Sequence, residues 1–304
     1  MKYILHIILA GTLLSCSKAV SEIDSAKNIQ SSFSASPGSV YLSIPSNLIE
    51  VDATKKAYPY AVYTPPGYNK DMAYPYIVFL HGIGERGYIM PLDNCIRVHG
   101  VLAEILRGMP APNAIIIEPQ YYGTSTGGSW NTVKLKSTVD SVKQKYLLDD
   151  RRFYLTGLSM GGAATINFLD SFANAITASF PASPAGGFKT TLAPQTIANN
   201  GKGFGEYICI PDSVVGTANA FNNIYKIWVS EGWVQKNIQA TKPAGVATAF
   251  LDKKTKLYKW VAGQQYPDST VFPHYIVAYD SGGHGGWSRI YSDPKFYDWL
   301  LSQR

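Results

Sequence analysis

The sequence predicts an α/β fold: one domain, with a mostly parallel sheet and helices on both faces. Three observations predict it. A continuous apolar run at 76–80 fits a strand buried on both faces, as in a parallel sheet, and 113–119 reads as another buried strand. Segments with apolar residues at helical spacing, 98–106 and 133–146, lie between such runs. Strands alternating with helices imply right-handed crossovers. The third observation is the stretch Phe153-Tyr-Leu-Thr-Gly157-Leu-Ser159-Met-Gly161-Gly-Ala163. It reads as an apolar strand, a G-x-S-x-G turn and the small-residue start of a helix, with Ser159 at the apex.

Taken in order, the chain opens with Met1-Lys2 and an apolar stretch at 4–14 interrupted by His6. That stretch is too short to stay in a bilayer and reads as a secretory signal over 1–15. Leu13-Leu14-Ser15-Cys16 resembles the bacterial lipobox, in which the cysteine is lipidated and becomes the mature N-terminus. The alternative is a general signal cleaved nearby, with Cys16 incidental. The expectation is export, either as a lipid-anchored protein of the periplasm or outer membrane or as a secreted one. Residues 16–40, rich in Ser and Ala, read as a flexible tether, and 41–304 as the folded domain.

Within that domain, 58–63 alternates as a strand and is ended by Pro65-Pro-Gly67-Tyr68. The run 76–80 leads into His81-Gly82-Ile83-Gly84-Glu85-Arg86-Gly87. The helix after Ser159 spans 161–172, and 175–180 is the next strand. From 186 to 272 no period holds, and this stretch is left as the builder of a pocket. Order returns with a strand at 274–279 and then Asp280-Ser-Gly-Gly-His284-Gly-Gly-Trp287. Asp293-Pro294 is an N-cap with proline at the first helical position, opening a helix through 301. In such sheets ligands bind at the carboxyl ends of the strands, where His81 and Ser159 both fall.

Composition excludes other classes. Apolar residues at 46% and charged ones at 16% describe a globular chain, not a disordered one. The net charge of +6 comes from scattered Lys and Arg and forms no nucleic-acid patch. Twenty-one Tyr and six Trp suit sugar rings or aromatic acids, and equally suit a core. Cys95 and Cys209 read as buried or free thiols, with a bridge as the alternative.

A serine becomes a nucleophile when a base takes its proton. Five histidines are present. His6 lies in the signal, His81 precedes Ser159, His99 falls in a helical segment, and His274 starts a strand. His284 alone sits on a Gly-rich loop after a strand and downstream of Ser159. The tight turn places the serine oxygen over a helix N-terminus, where the Met160 N–H can hold an oxyanion. Ile83, on the narrow loop between Gly82 and Gly84, is the simplest second donor, and His81 orients that loop.

Four stretches carry a resemblance: Tyr63-Thr-Pro-Pro-Gly-Tyr68, Tyr74-Pro-Tyr-Ile-Val-Phe-Leu-His-Gly-Ile-Gly-Glu-Arg-Gly87, Asp150-Arg-Arg-Phe-Tyr-Leu-Thr-Gly-Leu-Ser-Met-Gly-Gly162 and Gly283-His-Gly-Gly-Trp287. The terminal segment 291–301 adds to them. Together they resemble the secreted α/β-hydrolase esterases related to poly(3-hydroxybutyrate) depolymerases and to feruloyl and acetylxylan esterases. The likeness covers about 58–180 and 274–301, and it is not specific for one substrate. It implies the α/β-hydrolase fold, an acyl-serine mechanism and no metal or organic cofactor. It also implies an ester substrate such as an acylated polysaccharide; the Leu13-Leu14-Ser15-Cys16 motif gives membrane contact through a lipid anchor only, and the scattered charge gives no nucleic-acid partner. By the same resemblance Ser159 is the nucleophile, His284 the base, and Met160 and Ile83 the oxyanion donors.

The acid departs from that pattern, which shows an apolar strand, then H-G-x-x-D and a valine. Glu206-Tyr-Ile-Cys-Ile-Pro-Asp212-Ser-Val-Val215 fits without the His-Gly and makes Asp212 the choice. A second alignment reads Ile224-Tyr-Lys-Ile-Trp-Val-Ser-Glu231-Gly232 as the strand and puts Gln235 in the acid's place. Glu231, Asp252 and Asp268 stay open as carboxylates. A serine peptidase of the same fold is the alternative enzyme. A binding protein on a hydrolase scaffold is the reading that Gln235 would favour.

Overall fold

The computed structural model describes residues 49–50, 57–126, 128–233, 242–251, 258–263, 266–268 and 273–304. Cys16, the tether, Gln235 and Asp252 lie outside the described residues. The described chain forms a three-layer sandwich around one sheet of ten strands.

The first strands are β1 (Ile49–Glu50), β2 (Tyr60–Tyr63) and β3 (Tyr74–Leu80). After β3 come two short helices, α1 (Leu92–Val98) and α2 (Val101–Leu106). The apolar spacing predicts one helix over 98–106, but the chain breaks at His99-Gly100. Gly100 sits at φ 104°, and any side chain there would run into the Phe79 ring. Next come β4 (Ile115–Pro119), α3 (Thr132–Lys143), β5 (Leu148–Leu158) and α4 (Met160–Phe172). The strand expected at 175–180 is β6 (Ala178–Ala182), starting three residues later because Ala173–Ala175 closes a 3₁₀ turn after α4.

The stretch that showed no period resolves into α5 (Leu192–Asn199), β7 (Gly203–Cys209), α6 (Ala218–Ser230), β8 (Ala247–Leu251) and β9 (Tyr258–Ala262). The strand that the second acid alignment required at 224–229 is therefore part of helix α6. Its buried residues Ala220, Phe221, Ile224, Ile227 and Trp228 recur at three- and four-residue intervals, a helical stripe. The chain closes with β10 (His274–Tyr279), α7 (Ser288–Tyr291) and α8 (Pro294–Ser302). Asp293 caps α8 by accepting from the Lys295 N–H at 3.0 Å, as the Asp-Pro pair predicts.

The sheet order is β1-β2-β4-β3-β5-β6-β7-β10-β8-β9. The six central strands from β4 to β10 are parallel, and antiparallel pairs flank them on each side. Because side chains alternate along a strand, β3 feeds two cores. Tyr76, Val78 and Leu80 face helices α3 to α6, whereas Ile77 and Phe79 face α1, α2, α7 and α8. Both faces are covered, which is why β3 from Tyr76 to Leu80 and β4 from Ile115 to Ile117 are continuously apolar.

Register then brings the ends of five strands, β3, β5, β6, β7 and β10, together at one edge of the sheet. Leu80 pairs with Gly157, Leu158 with Ala182, and Cys209 with Tyr279. The loops that follow carry Gly82, Ser159, Asp212 and His284.

Candidate active site

Ser159 stands where β5 turns into α4, at φ 54° and ψ −114°. A non-glycine residue holds such a conformation only where its surroundings over-determine it. Here the Ser159 N–H donates to the Ala182 carbonyl at 2.9 Å, and its carbonyl accepts from Ala163 at 2.9 Å and Ala185 at 3.1 Å. Glycine is required on both sides of the turn. A Cβ on Gly157 would lie 2.7 Å from the carbonyl oxygens of Leu80 and Gly161, and one on Gly161 would overlap the Leu80 carbonyl.

The hydroxyl of Ser159, a residue only 7% exposed, lies 2.8 Å from His284 Nε2. His284 Nδ1 lies 2.8 Å from Asp212 Oδ2. Asp212 keeps its other oxygen, Oδ1, for the N–H groups of Val214 (3.0 Å) and Val215 (3.1 Å). Burial works to raise the Asp212 pKa, but the His284 hydrogen bond and the Val215 and Val214 amides outweigh it. The carboxyl is held below its ordinary range. A carboxylate on Nδ1 makes that nitrogen the donor and leaves Nε2 to accept from Ser159 Oγ.

The other sequence candidates lie elsewhere. Glu231 ends α6 and sits 3.2 Å from His274 Nδ1. Asp268 is exposed. Cys95 and Cys209 are both buried and unbridged.

The loop after β3 closes the other side of the serine. A Cβ at Gly82 would meet Leu158 Cδ1 at 2.7 Å and Ser159 Cβ at 3.6 Å, so only glycine brings the backbone this close. Ile83, a residue 42% exposed, begins a 3₁₀ turn to Glu85. Met160 is the first residue of α4, where an N–H has no intrahelical acceptor.

Several side chains hold this loop. His81 is buried; its Nδ1–H donates to the Gly82 carbonyl at 2.6 Å, and its Nε2 accepts from the Tyr121 N–H at 3.0 Å. Desolvation lowers its pKa, so His81 acts as a neutral strut. Arg86 reaches the Ile83 carbonyl at 2.7 Å and the Thr124 carbonyl at 2.6 Å. Gln120 Nε2 donates to the Glu85 and Met90 carbonyls, each at 2.9 Å.

The His284 loop has supports that the sequence did not reveal. The Tyr207 hydroxyl donates to the Gly286 carbonyl at 2.8 Å and lies 2.9 Å from Cys209 Sγ. Arg289 donates to the Ser281 carbonyl at 2.6 Å and covers the Tyr279 ring at 5.0 Å. Lys242 pairs with Asp280 at 2.6 Å, tying residues 242–245 to the start of the loop. Tyr207 lies inside a run legible as a strand, but nothing in that run marks what its hydroxyl would reach.

A strained serine, an imidazole and a carboxylate in this order can activate a hydroxyl and return its proton to a leaving group. Among the described residues no group of three His, Cys, Asp or Glu converges as a metal set would, and no helix is long and apolar enough to cross a membrane.

No family model matches the chain. Solved structures do. A thermostable esterase superposes with a TM-score of 0.53 at 21% identity over 84% of this chain, which spans 62% of that protein's length. An acetyl xylan esterase from Aspergillus awamori gives 0.51 at 14% identity, covering 83% of this chain and 98% of its own. A feruloyl esterase module from Clostridium thermocellum complexed with sinapinate gives 0.50 at 15% identity, covering 86% and 94%. What is shared at such identities is the scaffold: the chain has the α/β-hydrolase fold.

Proposed function

We propose that the protein is a serine hydrolase that cleaves carboxylic esters through an acyl-serine intermediate. The observation that carries the reading is the Ser159–His284–Asp212 relay, with both contacts at 2.8 Å. His284 Nε2 takes the Ser159 proton as Oγ attacks the ester carbonyl. The oxyanion rests on the Met160 and Ile83 N–H groups. The C–O bond then breaks, and His284 returns the proton to the leaving alcohol. Water repeats the sequence on the acyl-enzyme and releases the acid. Asp212 holds the imidazole in the required tautomer and stabilises the imidazolium.

The substrate proposed is an acyl group, feruloyl or acetyl, carried on polysaccharide. The named activities of the superposed acetyl xylan and feruloyl esterases support this, as do the sequence motifs. The Leu13-Leu14-Ser15-Cys16 motif supports export with a lipid on Cys16. Two assays test the proposal. Hydrolysis of p-nitrophenyl acetate and methyl ferulate should be accompanied by fluorophosphonate labelling at Ser159; a protein that neither labels nor hydrolyses is a binder on this scaffold. Mass spectrometry of the protein from an export-competent bacterium should find diacylglyceryl on Cys16, and an unmodified N-terminus beyond Cys16 would refute the anchor.

A further inference from the structure

Two histidines besides the base lie close to the site. His81 is accounted for by its loop contacts. His99 lies in the break between α1 and α2, with its Nδ1 2.7 Å from Glu85 Oε1. Glu85 is buried at the end of the 3₁₀ turn that Ile83 opens. Burial works to raise the Glu85 pKa, but the His99 hydrogen bond and charge outweigh it, so the carboxyl stays ionised and His99 Nδ1–H is the donor. Glu85 Oε2 has no hydrogen-bond partner among the described residues and would lie 3.2 Å from a Cβ at Gly82.

The ring of His99 also meets Trp287. The two ring centroids are 5.2 Å apart, edge to face at 83°. The same indole meets His284 at 5.1 Å and 83°. Trp287 Nε1 has no partner among the described residues, so ring packing rather than a hydrogen bond fixes the indole. Arg107, on the same pair of helices, binds the Arg97 and Val98 carbonyls and pairs with Glu104.

We propose that His99, clamped by Glu85, is a positioning residue that sets His284 through Trp287, and so joins the Ile83 loop to the loop of the base. The inference rests on the esterase reading of the site. Its physical need is plain. One hydrogen bond to Asp212 fixes the edge of the His284 ring but leaves the ring free to tilt about that bond. Nε2 has to face Ser159 Oγ and then the leaving oxygen, and a displacement of about 1 Å at such a point costs on the order of a hundredfold in rate. Trp287 limits the tilt only while the indole itself is held, and the His99 ring is packed against it. Glu85 makes that packing depend on the loop that carries Ile83.

The test uses the full chain, p-nitrophenyl acetate kinetics and the downfield proton resonance of His284 Nδ1. His99 is 34% exposed in its side chain, so His99→Ala retains the core. We expect His99→Ala, Trp287→Ala and Glu85→Ala each to lower kcat about ten- to a hundredfold with KM within about twofold. The Nδ1 proton signal should broaden or shift in each. Glu85→Gln keeps an acceptor for His99 and should recover most of the Glu85→Ala loss. Circular dichroism restricts the comparison to folded protein. A folded His99→Ala with wild-type kcat and an unmoved Nδ1 resonance overturns the proposal. Ser159→Ala, run in parallel, separates the two failures: turnover surviving in that variant sinks the esterase reading, whereas a dead Ser159→Ala beside a wild-type His99→Ala sinks this inference alone.

Discussion

Asp212 divides its carboxylate, giving Oδ2 to His284 and Oδ1 to the amides of its own loop. An asparagine can keep the loop with its carbonyl but then presents N–H₂ to His284 Nδ1. The imidazole must take the other tautomer, with Nε2 protonated toward Ser159. Asp212→Asn should therefore lower kcat by about three to four orders of magnitude with little change in Tm. Asp268→Asn, at an exposed position, should cost less than about tenfold. Steady-state kinetics and thermal melts of both variants check this.

Ser159→Ala should abolish turnover and fluorophosphonate labelling while the fold persists. The backbone at φ 54° adds a second expectation. Ser159→Gly, equally inactive, should melt higher than Ser159→Ala, because glycine relieves strain of about 1–3 kcal/mol that alanine retains. Equal melting temperatures would show that the turn stores no strain.

Gly161→Ala directs a methyl into the Leu80 carbonyl, which belongs to the strand β3 alongside. Backbone cannot rotate aside as a side chain can. The variant should lose about 3 kcal/mol or more and lose its labelling together with its native circular dichroism. Gly84→Ala, where a Cβ meets nothing within 4 Å, should melt within about 1 kcal/mol of wild type.

Glu118 predicts a pH dependence of stability. It is buried in β4 and accepts from the N–H groups of Leu102 and Val101 at the start of α2. Desolvation dominates these bonds and pushes its pKa from 4.5 up to about 8. Between those values the folded carboxyl keeps a proton that the unfolded chain has released. Its contribution is full below about pH 4.5 and is lost as pH rises through about 8. Glu118→Gln cannot ionise. Relative to it, the wild type should lose a few kcal/mol between about pH 5 and pH 8, at about 1.4 kcal/mol for each pH step of one. Parallel denaturant titrations across that range read the difference.

Much of this was legible in the chain. The elbow at Ser159 is a local device, written by two glycines at fixed spacing and an apolar strand before them. The same holds for the double-faced strands, which show as unbroken apolar runs, and for the Asp293-Pro294 cap. Beyond the short run before Asp212, residues 186–272 were not legible, for two physical reasons. Strand β7 carries Glu206 in the middle of its run, a buried acid bonded to Asn223 at 3.2 Å, which breaks the apolar signal. Helix α6 puts Ile224, Ile227 and Trp228 in a short window that reads as a strand when its period is missed. Asp212 was ambiguous because its partner lies 72 residues away and no local pattern records the pairing. His99 and Trp287 were invisible as a pair for the same reason.

The last strand in chain order, β10, does not lie at an edge of the sheet; it lies between β7 and β8. His284 follows it by five residues, and the serine it serves is 125 residues earlier. The elbow and its glycines can form from neighbouring sequence, but His284 reaches them only when β10 lies between β7 and β8. Contacts at such separation form late in folding. A chain emerging from a ribosome would thus carry a buried serine without its histidine until β10 and the His284 loop arrive. The proposed activity would appear only once β10 is in place, and its onset would time that pairing.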